Sequence, residues 1–388
     1  MRPIGLGLAG LAITATLATA ACGSSSSNTG GGAATPATTS PATSATGSAS
    51  AVAAGLGLAG LSSPPAALPV TEKLSAKPPT GVKVAVMDAG DSTTSQISQG
   101  LAAAGQVLGW QVKSFSINQS DPASLVSGIE SAASAGYRYI VNIINPATEY
   151  APALPAVKAA KAEIIDLFSS NPSIPGVVQT TIGSAWGKYY GAIVAKLLVA
   201  QAASGGAQAN IGEVGFADSP FTANAAAGIA AAVATCPTCT VSMIDVPLQT
   251  AEAGGSASFI VSYLQTHPKI NYLLFQSPGL DIGLIAQLRA AGRPLPKIYG
   301  ADAGLQSEIE AVQNGTMVAW SVFPAGVFGW IAADTIARLT LGENASIWNT
   351  VTPLAYVITK ANAQGVNVND IAFPAGYQQQ FEALWHVR

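Results

Sequence analysis

The sequence predicts an α/β protein made of two doubly wound parallel-sheet lobes, preceded by a leader and a tether. Three observations predict it. Continuous apolar runs rich in Val and Ile recur after residue 80, the pattern of strands buried on both faces. Segments of helical periodicity separate them, so the chain alternates strand with helix. Composition changes abruptly near residue 80, from Ser, Thr, Ala, Gly and Pro to this alternating pattern. Some ten strands are too many for one open sheet of ordinary size, so the natural partition is two lobes.

The leader comes first. Arg2 supplies a positive charge, and Ile4 to Leu17 is an apolar stretch too short for a bilayer, which needs about 20 residues. Small residues, Thr19-Ala20-Ala21, precede Cys22, so residues 1–21 have the layout of a signal peptide. Small residues before a cysteine resemble a bacterial lipobox, which implies that Cys22 is lipidated and anchors the chain to a membrane. Thr19 departs from that motif, where leucine is usual. The alternative is ordinary cleavage after Ala20 or Ala21, leaving a free thiol. Residues 22–80 contain no aromatic residue and almost no charge, and are expected to be a disordered tether, with order beginning at Val82. GLGLAGL occurs at 5–11 and 55–61, which shared low-complexity composition explains.

The ordered elements follow in sequence. Strands are expected at 82–88, 111–117, 139–143, 163–168 and 177–182. Helices are expected at 94–109, at 121–136 with Asp121 as N-cap, and up to Val157. A long helix around 185–203 leads to a second series. Its strands are 210–216, 240–246, 272–277, 297–302 and 317–323, with helices at 221–235, 254–266, 281–291 and 305–314.

Three segments resemble the type I periplasmic solute-binding proteins of the ribose and galactose kind. They are 136–154 with Asn145-Pro146, 267–292 beginning His-Pro-x-Ile, and 297–322 with its Gly-x-Asp and Asn-Gly-Thr. They occur in that family's order and spacing. The resemblance covers Val82 to Arg388. It implies two lobes joined by three crossovers and closing on one small molecule. Residues 81–182 with 324–352 would form the N-terminal lobe, and 183–323 with 353–388 the C-terminal lobe. It also implies delivery of the ligand to the membrane subunits of an ABC-type permease, at the extracellular or periplasmic face, by a monomer. A sensor presenting its closed form to a membrane signalling receptor would use the same lobes.

Most of that family's sugar-gripping residues are replaced. Where the resemblance places an Asn and two Phe, Asp91, Ser92, Thr93 and Thr94 stand; Phe168-Ser169 replaces an Asp-Arg pair. Ala223 replaces an arginine, with Asn224 beside it. Ser277-Pro278 replaces Asn-Asp after Gln276, and Val322 replaces a glutamine. Asp302 alone matches. Phe168, Phe221, Trp320 and Phe323 fall at strand ends facing the expected cleft, where aromatic walls with a few polar anchors suit small molecules. The candidate ligand-binding residues are therefore Asp91, Thr93, Thr94, Phe168, Ser169, Phe221, Asn224, Gln276, Ser277, Asp302, Trp320 and Phe323. The competing structural roles are hinge packing for Trp320 and Phe323, and a helix cap near Leu305 for Asp302. A polyol site leaves unpaired hydroxyls costly, so a neutral or cationic, partly apolar solute is expected, with anions disfavoured.

Other chemistries lack material. The 17 basic and 20 acidic residues provide no basic stripe for nucleic acid. Two histidines, His267 and His386, exclude a His-rich metal site or a His acid/base pair, and no metal or cofactor is expected. No catalytic motif sits between a strand and a helix, so no enzyme is expected. Cys236 and Cys239 flank Pro237-Thr238 at a helix end before a strand. A structural disulfide fits an exported chain best; zinc lacks further ligands, and redox dithiols usually open a helix.

Overall fold

The apolar runs become the inner strands of two sheets. The computed structural model describes residues 58–388 except 170–172 and 207; the leader, Cys22 and the tether up to residue 57 lie outside the described residues. The first lobe contains β1 (Lys83–Asp88), α1 (Ser92–Leu108), β2 (Gln111–Ser116), α2 (Pro122–Ser134), β3 (Tyr139–Ile143), α3 (Ala147–Tyr150), α4 (Leu154–Ala159), β4 (Glu163–Leu167) and β5 (Val178–Thr181). The second lobe begins with α5 (Ser184–Ser204), β6 (Ala209–Gly215), α6 (Pro220–Val233), β7 (Cys239–Asp245), α7 (Leu248–Glu252), α8 (Ser256–Thr266) and β8 (Tyr272–Phe275). It continues through α9 (Leu284–Ala290), β9 (Lys297–Ala301), α10 (Gln306–Asn314) and β10 (Ala319–Val322). Three further elements follow: α11 (Ala325–Leu341), β11 (Tyr356–Thr359) and α12 (Tyr377–Leu384).

The first sheet has the order β2-β1-β3-β4-β5 and the second β11-β10-β9-β8-β6-β7. All neighbours are parallel except β10 and β11. Both sheets thus reverse direction beside their first strand, between β1 and β3 and between β6 and β8. Open α/β sheets bind ligands at the carboxyl ends of strands at that switch point. The chain passes between lobes after β5, after β10, and between α11 and β11, where three crossovers were expected, and passes a fourth time between β11 and α12.

Helices come unusually close. A methyl group at Gly100 or Gly329 would collide with backbone of the partner helix where α1 packs on α11, and at Gly191 or Gly228 where α5 packs on α6. Only glycine permits this approach. Cys236 and Cys239 form the expected disulfide, which closes the turn between α6 and β7.

Two expectations are corrected. Residues 58–80 do not behave as free tether: Leu58, Leu68, Val70 and Leu74 are buried in the core. The Leu68 amide donates to Gln380 Oε1 (2.8 Å), the Leu74 amide to the Leu384 carbonyl (3.0 Å), and Trp110 Nε1 to the Pro79 carbonyl (2.9 Å). The composition reading failed because a few scattered apolar residues meet surfaces prepared by distant elements, with α12 and α11 bonding the stretch from Leu68 to Leu74. Farther upstream, Asn362 beyond β11 donates to the Ser62 carbonyl (2.8 Å), so the segment touches both lobes. The second correction concerns residues 353–388. β11 joins the second sheet, but α12 returns to α11 of the first lobe, where Trp385 stacks on Trp330 at 5.5 Å.

One buried carboxylate gathers these late elements. Asp334 accepts hydrogen bonds from Trp348 Nε1 (2.7 Å), Trp385 Nε1 (2.8 Å) and Arg338 Nε (2.8 Å). Arg338 in turn donates to the Glu72 carbonyl at 2.7 Å. Removing residues 58–80 takes away that partner and the burial of Leu68, Val70 and Leu74, each worth roughly 1.5–3 kcal/mol. A variant lacking 58–80 is therefore expected to unfold at a clearly lower urea concentration than one beginning at residue 58, as followed by tryptophan fluorescence.

Candidate functional site: a cleft between the lobes

The carboxyl ends of the two sheets face each other across a cavity of about 810 Å³. That volume suits a small organic molecule. From the first lobe come the β1–α1 loop with the first residues of α1 (Ala89 to Thr93), Gln119, and the segment from Ile144 to Pro146 with Glu149. The second lobe contributes Phe216 to Ser219, Phe221 and Thr222, then Asp245 to Leu248, Ser277 to Leu280, and Asp302. Ser120 Oγ of the first lobe donates to Glu252 of the second at the rim.

Buried polar contacts hold the first-lobe wall. Asn142 Nδ2 donates to the Asn145 carbonyl (2.9 Å) and to Asp166 Oδ1 (2.7 Å). Asn145 Nδ2 returns a bond to Asn142 Oδ1 (2.9 Å), and Tyr150 Oη donates to Asp166 Oδ2 (2.9 Å). The Asn145-Pro146 turn is thereby fixed from beneath. On the second-lobe side, Glu308 accepts from the Gly279 amide (2.7 Å) and the Leu305 amide, joining two loops of the cleft. Asp281 and Glu308 lie together, and burial with mutual repulsion pushes the Glu308 carboxyl well up.

Five candidate residues from the sequence line the cavity: Asp91, Thr93, Phe221, Ser277 and Asp302. Asp91 is also the N-cap of α1, accepting from the Thr93 amide (2.8 Å), the Thr94 amide (2.9 Å) and Thr94 Oγ1 (2.8 Å). The other candidates are set back. Thr94 is spent on that cap. Asn224 Nδ2 bonds the Pro220 carbonyl within α6 (2.8 Å). Gln276 lies one layer deeper, its Nε2 donating to Glu213 and to the Thr222 carbonyl. Ser169 is buried outside the lining. Trp320 packs against Gly300 and Gly304 inside the second lobe. Phe168 and Phe323 meet each other and Phe221 and Phe328 beneath the cleft, with Phe168 at 5.3 Å from Phe221 and 5.2 Å from Phe328. The expected aromatic walls are thus mostly a floor: hinge packing claims these rings because both lobes supply one.

Asp302 follows β9 with φ 117°, a strained value for a residue with a side chain. Its carboxylate accepts from the adjacent Ala303 amide. Leu305 is the N-cap residue of α10 and its amide is served by Glu308, so Asp302 is not the cap of α10. Burial pushes the Asp302 carboxyl up to about 8, the Ala303 amide opposing and Asp91 adding to it. Burial likewise pushes Glu213 up to about 7 and raises Glu149.

Sequence reasoning missed four acids of the lining, Glu149, Asp218, Asp245 and Glu252. Asp245 is the last residue of β7 and Asp218 lies in the loop after β6. Their position at the carboxyl ends of β6 and its neighbour β7 was the available signal; matching only sugar-gripping positions passed over it. No group of three or more His, Cys, Asp or Glu placed to hold a metal occurs among the described residues. No described helix is long and apolar enough to cross a membrane.

Residues 82–344 match the family model described as periplasmic binding protein domain. No curated protein sequence matches significantly. Among solved structures, a glucose-galactose binding protein from Geobacillus stearothermophilus superposes with TM-score 0.63 at 18% identity, covering 74% of this chain and 100% of that one. A 5-methylthioribose transporter solute-binding protein from Thermotoga lettingae gives 0.63 at 16% identity, over 79% and 100%. An ABC transporter solute-binding protein from Mycobacterium smegmatis with bound glycerol gives 0.61 at 21%, over 73% and 96%. These likenesses show the fold.

The raised Asp302 carboxyl sets a pH dependence of stability. The folded state holds its proton up to about 8, whereas the unfolded chain releases it near the ordinary aspartate value of 3.8. Between those values the folded state binds more protons, so stability is greatest at the acid end and falls as pH rises through about 8. Glu213 adds the same slope up to about 7. Urea titrations at mildly acidic and mildly alkaline pH should show the wild type losing stability on the alkaline side. Asp302→Asn is expected to lessen that loss by at least about 1 kcal/mol, given about 1.4 kcal/mol per pKa unit.

Proposed function

The chain belongs to the periplasmic binding protein domain family, and from that premise we infer that it captures one small solute between its lobes and hands it to an ABC-type permease. Proteins of this family bind small molecules outside the cytoplasm rather than transforming them. The observation that carries the reading is the cavity at both switch points, lined from two lobes that the hinge can bring together or part. Its walls mix apolar residues such as Ile144, Phe216, Phe221 and Leu280 with carboxylates. That mixture favours a partly apolar, neutral or cationic solute over a simple sugar, and a monomer suffices because one chain supplies both walls.

We also propose that Cys22 carries a lipid and that the chain between it and residue 58 spaces the binding lobes from the membrane. The support is the apolar leader, the small residues before Cys22 and the uncharged run after it. Cys22→Ser is expected to move the protein from the membrane fraction into the soluble extracytoplasmic fraction, as read by immunoblot of the fractions.

Capture itself is tested by thermal unfolding of the full chain against amines, aromatic solutes, sugars and polyols. A true ligand at a hundred times its dissociation constant adds about 2.7 kcal/mol of stability. At least one class is expected to raise the melting temperature, with Asp302→Ala weakening its binding by roughly 1–3 kcal/mol in calorimetry.

A further inference from the structure

Resting on that capture role, we infer that the ligand is an organic cation, a nitrogen-centred positive charge on a partly apolar body, and that the cleft selects it by charge. The chain has 20 acidic and 17 basic residues in 388. Six of those acids, Asp91, Glu149, Asp218, Asp245, Glu252 and Asp302, line this cleft, and no described lysine, arginine or histidine does. In a protein so poor in charge, this is a segregation of sign rather than an ordinary solvated surface.

The six are also left without countercharges. The ion pairs among the described residues join Arg338 to Glu72, Asp334 and Glu343, and Arg388 to Glu382; none reaches the cleft. Helix α1 satisfies Asp91 through its amides, the Ala217 amide serves Asp245 (2.9 Å), and Ser120 serves Glu252. Nothing among the described residues donates to Glu149 or Asp218. Asp302 is 5% exposed and takes only the neighbouring Ala303 amide. Burial therefore keeps a proton on this carboxyl until a positive group pairs with its ionised form. A cleft lined by one sign also concentrates ligands of the other and speeds their arrival.

The carboxylates stand on both lobes and share the wall with apolar side chains. Bare metal ions need converging oxygens and no apolar surface; an alkyl or aryl ammonium uses both. A neutral polyol would find acceptors here, but would leave the acids without countercharge.

The test compares an isosteric series on the full chain: benzylamine, benzyl alcohol and benzoate, with choline and putrescine as further cations, glucose and glycerol as polyols, and calcium chloride. The expected result is a rise in melting temperature with one or more of the organic cations and none with benzyl alcohol or benzoate. That rise should shrink as sodium chloride is added, and calorimetry should show affinity falling about tenfold or more in Glu149→Gln/Asp218→Asn, near-isosteric changes at a half-buried and an exposed position. Stabilisation by glucose, glycerol, benzyl alcohol or benzoate equal to that by any cation overturns the charge assignment and leaves the capture role standing. Stabilisation by calcium alone overturns it in favour of a metal. Silence from every probe at millimolar concentration overturns the assignment and counts against capture as well.

Discussion

The cleft rests on a knot of aromatic rings at the hinge. Phe168 follows β4 of the first lobe; Tyr190 and Phe221 come from α5 and α6 of the second; Phe323 and Phe328 bracket the second crossover. Their centroids lie between 4.9 Å (Tyr190 to Phe323) and 6.4 Å (Tyr190 to Phe221). Each such pair adds about 0.5–1.5 kcal/mol beyond simple burial. Trp186 extends the group and donates to the Trp348 carbonyl at 2.9 Å, tying the first crossover to the third. Phe168 of the first lobe meets Phe221 of the second at 5.3 Å, so the knot joins the two lobes beneath the cleft.

Above this floor the cleft changes character. Phe221 is the one ring of the knot that also lines the cavity, and the remaining wall is loops at strand ends, several carrying a carboxylate. Such placement follows from the topology. Parallel strands finish with their carboxyl ends on one edge, and the loops there are free of the packing that governs strand interiors. Asp302 is the exception, since it is buried and holds a positive φ. Its conformation persists because its amide donates to the Ser321 carbonyl (3.1 Å) and the Trp320 ring fills the space behind Gly300 and Gly304.

Far from the cleft, Asp334 does for the chain ends what the rings do for the hinge. Its carboxylate is fully buried and surrounded by donors from three separate stretches: Arg338, Trp348 and Trp385. Removing one partner from such a group leaves a charge stranded out of water, which makes the set cooperative. Arg338 extends it to residues 58–80 through the Glu72 carbonyl. The first lobe is thus completed by chain from both ends of the folded region.

What the sequence determined by itself was local and periodic. The apolar runs around Val84, Ile140, Ile164, Val214 and Leu273 carry period and branching enough to mark parallel strands, so the two-lobed α/β architecture was legible, as was the short-range disulfide. Asp302 was legible too, because it follows a strand at a position where such sheets bind ligands. Tertiary structure decided the rest. Residues 58–80 look like tether because a few apolar side chains only gain from burial once distant elements present surfaces. Phe168, Trp320 and Phe323 look like cleft walls until their neighbours claim them, since a strand-end ring has no local preference between floor and wall. The acidity of the cleft belongs to no motif: six carboxylates scattered from Asp91 to Asp302 share one cavity only because two sheets point their carboxyl ends at each other, and charge acts through space rather than along the chain.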